Sequence, residues 1–414
     1  MWIPEPVKKF FNNILKSILK PLEEWIKALP LVKRIFAVLF TVLIALGVYY
    51  HQKVWDFVQS SGIYYRAATI SKTSSFFNAD HSQRLKSLIN NIEKDLVDSE
   101  YPKKNASPDD YNPWTISQIV VSCKSSKTIP IVNDYCSYIN SSRSHINSCS
   151  CWSEFGNIGY PNYVATSWVM MGMAQYKNKL PDRLVDYIIQ NQNIAGWWSV
   201  FPSSRAEDAS TLVTAWLIFS LHKNLDVGNI SNNKIAEVNH AITNGLTWLK
   251  GQFDHSADSW FDYPQSNEKK ESVSINGLIL FVINQVESDS NIKETFNKEW
   301  LKRFDDYLKV VQIKINSSFN INSGYTSGHS IELSNGGFTK DNNNNYDLPW
   351  LIVGCVTAFP NASIGTKTKI LNFFNGVVDQ GESLFSSSMS PRPQPWLASE
   401  YLFSLRILNR ENFY

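Results

Sequence analysis

Residues 183–198 read RLVDYIIQNQNIAGWW, and this stretch determines the predicted fold. Tyr187 and Ile188 are followed, after three residues, by Gln192, and then by Gly196 and Trp198. The pattern predicts an amphipathic helix that ends in a tight glycine turn carrying an aromatic residue. A helix end leaves backbone groups unpaired, and a side-chain amide can satisfy them. We therefore expect the amide of Gln192 to pair with backbone groups at a helix end.

The same spacing recurs along the chain. Residues 303–312 read RFDDYLKVVQ and match 183–192 in register at Arg, Asp, Tyr and Gln. Weaker copies occur at 244–260, where Trp248 and Trp260 take the aromatic positions, and at 138–152. Repetition at this period indicates stacked pairs of helices.

A second series of segments lies between these copies. Six apolar runs, each of about three turns, are long enough for buried helices. Five of them are headed by tryptophans: Trp114, Trp168, Trp216, Trp350 and Trp396. The sixth is residues 273–286, VSINGLILFVINQV. They alternate with amphipathic segments near residues 80–98, 131–144, 181–193, 235–253, 293–313 and 366–378. The sequence thus predicts an all-α (α/α)6 toroid in which the first outer helix pairs with the last inner one and closes the ring.

The spacing of Gln192, Gly196 and Trp198 resembles the QW repeat of the squalene-hopene and oxidosqualene cyclases, which the protein prenyltransferases share more loosely. The resemblance implies the α/α toroid fold, with Gln and Trp in structural roles. The Gln amide bridges to a neighbouring helix end, and the Trp indole stacks on the Gln side chain. The family pattern begins with Lys or Arg followed by Gly or Ala. Arg183 fits that pattern, whereas Leu184 does not.

The catalytic motifs of those enzymes are missing from the chain. Class II terpene cyclases need a DxDD pattern, but residues 205–208 read RAED, and no DDxxD pattern is present for diphosphate-bound magnesium. Asp134 and Cys136 copy the zinc-binding Asp-x-Cys of prenyltransferases, but they fall in an outer helix instead of at the head of an inner one. We therefore expect no cofactor and no metal, and the motifs leave open whether the chain is an enzyme.

The composition favours one large core. The 414 residues are 43% hydrophobic and 18% charged, with a formal net charge of +2. This balance, with no basic stripe and no recognition motif, gives no argument for a nucleic-acid partner. We assign residues 80–414 to the toroid and 51–79 to a linker.

The first 50 residues differ from the rest. Residues 1–34 predict a basic amphipathic helix, bent at Pro21, of the kind that lies on a membrane surface; packing on the toroid or on a protein partner is the alternative. Residues 35–50, IFAVLFTVLIALGVYY, are uncharged and predict a transmembrane helix, with a buried helix as the alternative. Membrane lipid is thus the expected partner, and residues 1–60 are the expected contact with any membrane protein.

Basic residues before the span outnumber those after it. The positive-inside rule therefore favours a single-pass protein with a cytoplasmic N-terminus and the toroid outside. Four of the five cysteines, Cys123, Cys136, Cys149 and Cys151, cluster around one helix pair and are candidates for disulfides outside the cytoplasm. His145 with Cys149 and Cys151 is the alternative, as three ligands of a metal.

An inner helix that begins with Trp carries its fourth following residue on the same face. Those residues are small or polar, which predicts room along the axis and a ligand cavity; the alternative is that each Trp packs against the preceding turn. A long Asn/Ser/Gly-rich segment at 315–345 predicts a loop over one mouth. The predicted cavity residues are Trp114, Gln118, Trp168, Trp216, Ser220, Tyr325, Tyr346, Trp350 and Trp396. The candidate catalytic acids are Glu154, Glu207, Asp208 and Glu400, of which Asp208 is also a candidate helix cap.

Three functions fit these observations. The first is a membrane-anchored, cyclase- or prenyltransferase-like toroid that binds or senses a lipid, isoprenoid or glycan without terpene cyclase activity. The second is an enzyme that acts on a lipid-linked or glycan substrate with cavity carboxylates. The third is a structural subunit of a membrane complex. Fold alone does not decide among them, but the missing catalytic motifs favour the first.

Overall fold

The computed structural model describes residues 76–77, 79–98, 113–123, 151–155, 158–266, 269–316, 330–332, 338–340, 347–381 and 395–409. These residues are mostly helical. The helices are α1 (Ala79–Asp98), α2 (Pro113–Ser122), α3 (Tyr163–Gln175), α4 (Asp182–Gln190), α5 (Thr211–Asp226), α6 (Ile235–Gly251), α7 (Val273–Val286), α8 (Ser290–Asn316), α9 (Leu348–Ala358), α10 (Ile364–Gln380) and α11 (Pro395–Leu408).

Short antiparallel hairpins accompany the helices. They are β1 (Ser153–Phe155) with β2 (Ile158–Pro161), β3 (Phe261–Asp262) with β4 (Lys270–Glu271), and β5 (Ser330–Glu332) with β6 (Phe338–Lys340). The second and third each connect an amphipathic helix to the apolar helix that follows, and the first directly precedes an apolar helix. The prediction of an all-α protein is therefore confirmed, with hairpins only in these connections among the described residues.

Six helices are apolar around their whole circumference: α2, α3, α5, α7, α9 and α11. Almost every side chain described in them is buried, as expected for helices surrounded by protein. Each packs against the next along the chain, and α11 also packs against α2, so the order of contacts returns to its start. The amphipathic helices lie against this set: α1 contacts α10 and α11, α6 contacts α4 and α5, and α8 contacts α7 and α9.

Two apolar helices begin earlier than their tryptophans suggest. Helix α3 begins at Tyr163, where Asn162 accepts a hydrogen bond from the Ala165 amide, and α5 begins at Thr211, where Ser210 accepts one from the Val213 amide. Trp168 and Trp216 thus lie in the second turn, and the prediction that they open their helices is wrong. The side-chain oxygens of Asn and Ser satisfy the free amides of a first turn, which an indole cannot do.

Helices α7 and α9 approach each other closely at a glycine pair. A Cβ atom on Gly277 would lie 2.0 Å from the backbone oxygen of Trp350, and one on Gly354 would lie 3.1 Å from the Cα of Gly277. Any larger side chain at Gly277 would force the two helices apart. The close approach brings α9, and with it Trp350, into the interior of the helix set.

The turn at the end of α4 has the hydrogen bonds of a fixed helix end. Gly196 adopts a φ of 102°, and its position leaves no space for a Cβ beside the Asn244 carbonyl. Gln192 Nε2 donates to the carbonyl oxygens of Gly196 at 2.8 Å and of Ala241, in α6, at 2.9 Å. The amide therefore joins the turn to the neighbouring amphipathic helix.

Several sequence predictions lie outside the described residues. They concern residues 1–34 and 35–50, the linker, the helix near 131–144, Tyr325, Tyr346 and most of the loop at 315–345. Within the part of the chain that the structure describes, no helix combines the length and apolar character needed to cross a membrane.

Candidate functional site

Glu400 joins three apolar helices in the interior. It lies in α11, and its side chain accepts a hydrogen bond at Oε1 from Gln118 Nε2 of α2 at 2.9 Å. Its Oε2 accepts one from the indole Nε1 of Trp350 in α9 at 3.0 Å. Glu400 is only 2% exposed. The carboxyl group is thus removed from water and held by two neutral donors.

Burial sets the protonation of this group. Loss of solvent raises the pKa of Glu400 from 4.5 to about 7, and the hydrogen bonds from Trp350 and Gln118 lower it by less. Both hydrogen bonds favour the charged form of Glu400, because each carboxylate oxygen accepts a hydrogen bond from an N–H group. No cationic side chain forms an ion pair with Glu400 among the described residues. A buried carboxylate without such a partner is costly.

Gln118 leaves one polar atom unsatisfied. Its side chain is completely buried, its Nε2 is used by Glu400, and its Oε1 has no hydrogen-bond partner in the described part of the chain. Buried side-chain oxygens without a partner are uncommon and call for an explanation. The amide therefore presents a free acceptor next to the Glu400 carboxyl group.

Two tryptophans lie one helical turn before this pair. Trp114 precedes Gln118 by four residues on α2, and Trp396 precedes Glu400 by four residues on α11. The two indoles stack with ring centroids 6.1 Å apart, and both are only partly buried. Residues four apart share a helix face, so the stacked rings lie on the same side of the helices as the polar pair. Together these four residues and Trp350 form the candidate site.

The remaining predicted tryptophans are packed into the interior. The ring centroids of Trp168 and Trp216 are 4.6 Å apart, and those of Trp216 and Trp350 are 5.1 Å apart. The ring centroid of Phe403 lies 5.9 Å from that of Trp350 and 6.4 Å from that of Trp168. All four rings are buried and come from four different apolar helices. Trp168 and Trp216 are therefore buried among other aromatic side chains, whereas the sequence led us to expect rings at an entrance.

The other predicted residues are separate from Glu400 in their contacts. Ser220 is fully buried and donates to the carbonyl of Leu217, within its own helix. Glu207 is exposed, and Asp208 pairs with Arg205 at 2.8 Å. Asp208 lies in a short 3-10 helix, Ala206–Asp208, so its prediction as the helix cap is wrong and Ser210 has that role. The backbone of Glu154 lies in β1, and its side chain is outside the described set.

Sequence reasoning missed two acidic residues at helix starts. Asp262 is buried and accepts a hydrogen bond from Ser210 at 2.9 Å at the N-terminus of α5, where burial raises its pKa. Asp347 accepts hydrogen bonds from Ser272 and from the Ser274 amide at the N-terminus of α7. A carboxylate at a helix N-terminus is favoured by the free amides and the helix dipole. Each acid comes from the connection that leads to the following apolar helix, which linear spacing does not reveal.

A second missed feature fixes the tryptophans of the connections. The backbone amide of Trp152 bonds to Thr166, that of Trp198 to Thr214, and that of Trp260 to Asn276. Each acceptor lies four residues after the N-cap residue of its helix, and these N-cap residues are Asn162, Ser210 and Ser272. The Thr-x-Trp spacing at 166–168 and 214–216 was visible in the sequence. We singled out its Trp as a functional candidate and missed the Thr, which accepts the hydrogen bond.

The cysteines divide into two groups. Cys151 is disulfide-bonded, whereas Cys123 and Cys355 are free and buried. Burial raises the pKa of the Cys123 and Cys355 thiols. The expectation that Cys123 could join a disulfide is therefore wrong. In the described ranges, no three His, Cys, Asp or Glu side chains come together as a metal site.

Comparison with known proteins adds no family to this picture. No family model matches the sequence, and no curated protein matches it significantly.

Proposed function

We propose that residues 80–414 form an (α/α)6 toroid of the cyclase and prenyltransferase type that binds or senses a ligand. The cyclic order of contacts among α2, α3, α5, α7, α9 and α11 supports the toroid. The hydrogen bonds of Gln192 and Trp198 support a QW-like role for the repeat. The ligand classes that fit an aromatic-rimmed interior are a lipid, an isoprenoid and a glycan.

One observation carries the proposal for a binding site. A buried acid-amide pair, Glu400 and Gln118, lies one turn behind two stacked and partly exposed tryptophans, and one oxygen of the amide is unsatisfied. A binding site combines apolar area with a few polar groups that orient the ligand. Trp114 and Trp396 supply the first and Gln118 and Glu400 the second.

The chemistry of Glu400 argues against terpene cyclisation. Protonation of an alkene needs an acid stronger than an ordinary carboxylic acid, but burial shifts the pKa of Glu400 in the opposite direction, to about 7. The missing DxDD pattern leads to the same conclusion. The proposed toroid therefore keeps an aromatic interior without the acid of a cyclase.

An enzyme remains the second candidate because a pKa near 7 suits a general acid or base at neutral pH. Glycoside hydrolysis of the usual type uses two carboxyl groups on opposite sides of the bond. The hydrogen-bond partners of Glu400 are an amide and an indole, so the described contacts supply only one. Binding is thus better supported than catalysis.

We propose further that residues 35–50 anchor the chain in a membrane and that the toroid lies outside the cytoplasm. The uncharged stretch and the excess of basic residues before it support the anchor and its orientation. The disulfide at Cys151 supports an oxidising compartment.

Native mass spectrometry of the full chain, purified in detergent from its own membrane, tests the proposal. We expect a co-purified small molecule that is lost in Trp114→Ala and Trp396→Ala. Phe359→Ala is the matched control, since Phe359 is also a partly buried aromatic residue. It follows the C-terminal end of α9, whereas Trp350 of the site lies near the N-terminal end. Equal ligand occupancy in all four proteins, including none in any, would refute the binding site.

A further inference from the structure

We infer that the site formed by Glu400, Gln118, Trp114, Trp396 and Trp350 selects a ligand that carries a primary ammonium group. This inference rests on the proposed binding function and adds the charge and hydrogen-bonding character of the ligand. The charges around Glu400, the unsatisfied oxygen of Gln118 and the aromatic rings support it.

Among the residues that the structure describes, the helices around Glu400 supply no unmatched positive charge. Helix α11 packs against α1, α2 and α9. Helices α2 and α9 contain no charged residue, and Cys355 is their only ionisable group. From α1, Glu93 pairs with Arg406 of α11 at 2.6 Å, so that cation is already matched. On α11 itself the remaining ionisable group is Tyr401, which is neutral and whose pKa is raised by burial. None of the described residues thus offers an unmatched cation to Glu400, which suits a cationic ligand.

The oxygens of Gln118 and Glu400 can accept further hydrogen bonds, which a ligand with donor groups would supply. Gln118 Oε1 is an unoccupied acceptor, and each carboxylate oxygen of Glu400 has one accepted bond and room for another. Gln118 Nε2 and Trp350 Nε1 already bond to Glu400, so a ligand that brings N–H donors complements the acceptors of this pair. An ammonium group with N–H bonds satisfies Gln118 Oε1 and Glu400 together.

The aromatic rings favour a cation at the same place. The partly buried Trp114 and Trp396 lie one turn from the carboxyl group, and the buried Trp350 contacts it directly. Cations are attracted to the faces of aromatic rings, most strongly to Trp, and the attraction increases when water is excluded. A primary ammonium fits better than a quaternary one, since a quaternary ammonium has no N–H for Gln118 Oε1. Amine-bearing lipid headgroups and amino sugars share this chemistry.

Titration calorimetry on the full chain in detergent tests the inference with three probes: n-hexylammonium, n-hexanol and hexyltrimethylammonium. We expect n-hexylammonium to bind most tightly. Its affinity should fall about tenfold for each pH unit below 7 and stay constant above, because binding needs ionised Glu400 while an alkylammonium stays protonated over this range. Dihexanoyl phosphatidylethanolamine and glucosamine then distinguish a lipid headgroup from an amino sugar as the source of the amine.

Glu400→Gln should weaken n-hexylammonium at least tenfold, and Glu207→Gln, at an exposed carboxylate, should leave it unchanged. If Glu400→Gln does not fold, the pH dependence of the unaltered protein decides. Binding of n-hexanol equal to that of n-hexylammonium, or n-hexylammonium affinity independent of pH, would overturn the inference. A neutral co-purified ligand that depends on Trp114 and Trp396 would also overturn it while the proposed binding function stands.

Discussion

The indole Nε1 of Trp198 donates a hydrogen bond at 2.8 Å to the backbone oxygen of Ile188, in the last turn of α4. Trp260 makes the equivalent bond at 2.9 Å to Leu249, in the last turn of α6. The final carbonyls of a helix lack partners within the helix. In two copies of the repeat, the indole of the following connection thus donates to a carbonyl near the end of the preceding helix.

Trp198→Ala should lower the free energy of unfolding by roughly 3–5 kcal/mol, because a large buried ring and a hydrogen bond are lost. Trp198→Phe should cost less, since a ring is kept and the N–H is lost. Chemical denaturation monitored by circular dichroism measures both. Ile194→Ala in the same turn is the control, since Ile194 is fully exposed. Equal stabilities for Trp198→Ala and Ile194→Ala would contradict the structural role of the repeat.

Two glycines inside helices should respond oppositely to alanine. Gly277→Ala places a Cβ against the Trp350 carbonyl at 2.0 Å, which should destabilise by about 1–3 kcal/mol or more. Gly376→Ala in α10 meets nothing within 4 Å and should stabilise by about 0.5–1 kcal/mol, because alanine favours the helix. Thermal unfolding of the two variants gives the signs. A tolerated Gly277→Ala would mean that α7 and α9 are further apart than described.

The sequence predicted the helices well because their signals are local. The apolar run at 273–286 is the helix Val273–Val286, and the amphipathic segment predicted near 366–378 is the helix Ile364–Gln380. Period and hydrophobicity are properties of contiguous residues. Helix starts were less predictable, because Asn162 and Ser210 cap their helices several residues before Trp168 and Trp216.

The site was predicted only in part because its contacts join distant residues. The i, i+4 spacing from Trp114 and Trp396 identified Gln118 and Glu400 individually, but their mutual hydrogen bond depends on the packing of α2 against α11. Asp262 carries no local signal, since its partner Ser210 precedes it by a whole helix pair. The same spacing predicted room after Trp216, whereas Ser220 is fully buried and the ring of Trp216 packs against those of Trp168 and Trp350.

Thiol labelling should distinguish the cysteines. Cys123 and Cys355 should resist iodoacetamide in the folded protein, because burial hides them and raises their pKa. Cys151, which is equally buried, should become reactive only when the chain is both reduced and unfolded. Mass spectrometry of native, reduced and unfolded samples measures this. Labelling of Cys151 in the unfolded chain without reductant would remove the support for an oxidising compartment.

Removal of residues 1–55 should release the remaining chain from the membrane. The full chain should stay in the membrane fraction after high-salt and carbonate washes, because the uncharged stretch at 35–50 is expected to span the bilayer. Fractionation followed by circular dichroism of the truncated protein tests both parts. Release of the full chain by salt alone would mean that residues 35–50 do not span.

The stability of the protein should depend on the ionisation of Glu400 between pH 4.5 and about 7. In this window the folded state keeps the proton and the unfolded state has lost it, so the unfolding free energy falls as pH rises and levels off above 7. For a fully buried group, this shift corresponds to about 3 kcal/mol. Glu400→Gln cannot ionise, so wild type should lose stability relative to this variant by that order as pH increases from 4.5 to 8. Lost hydrogen bonds in the variant add an offset that does not change with pH. Denaturation of both proteins at several pH values separates the two effects, and parallel pH profiles would show that Glu400 keeps an ordinary pKa and contacts water.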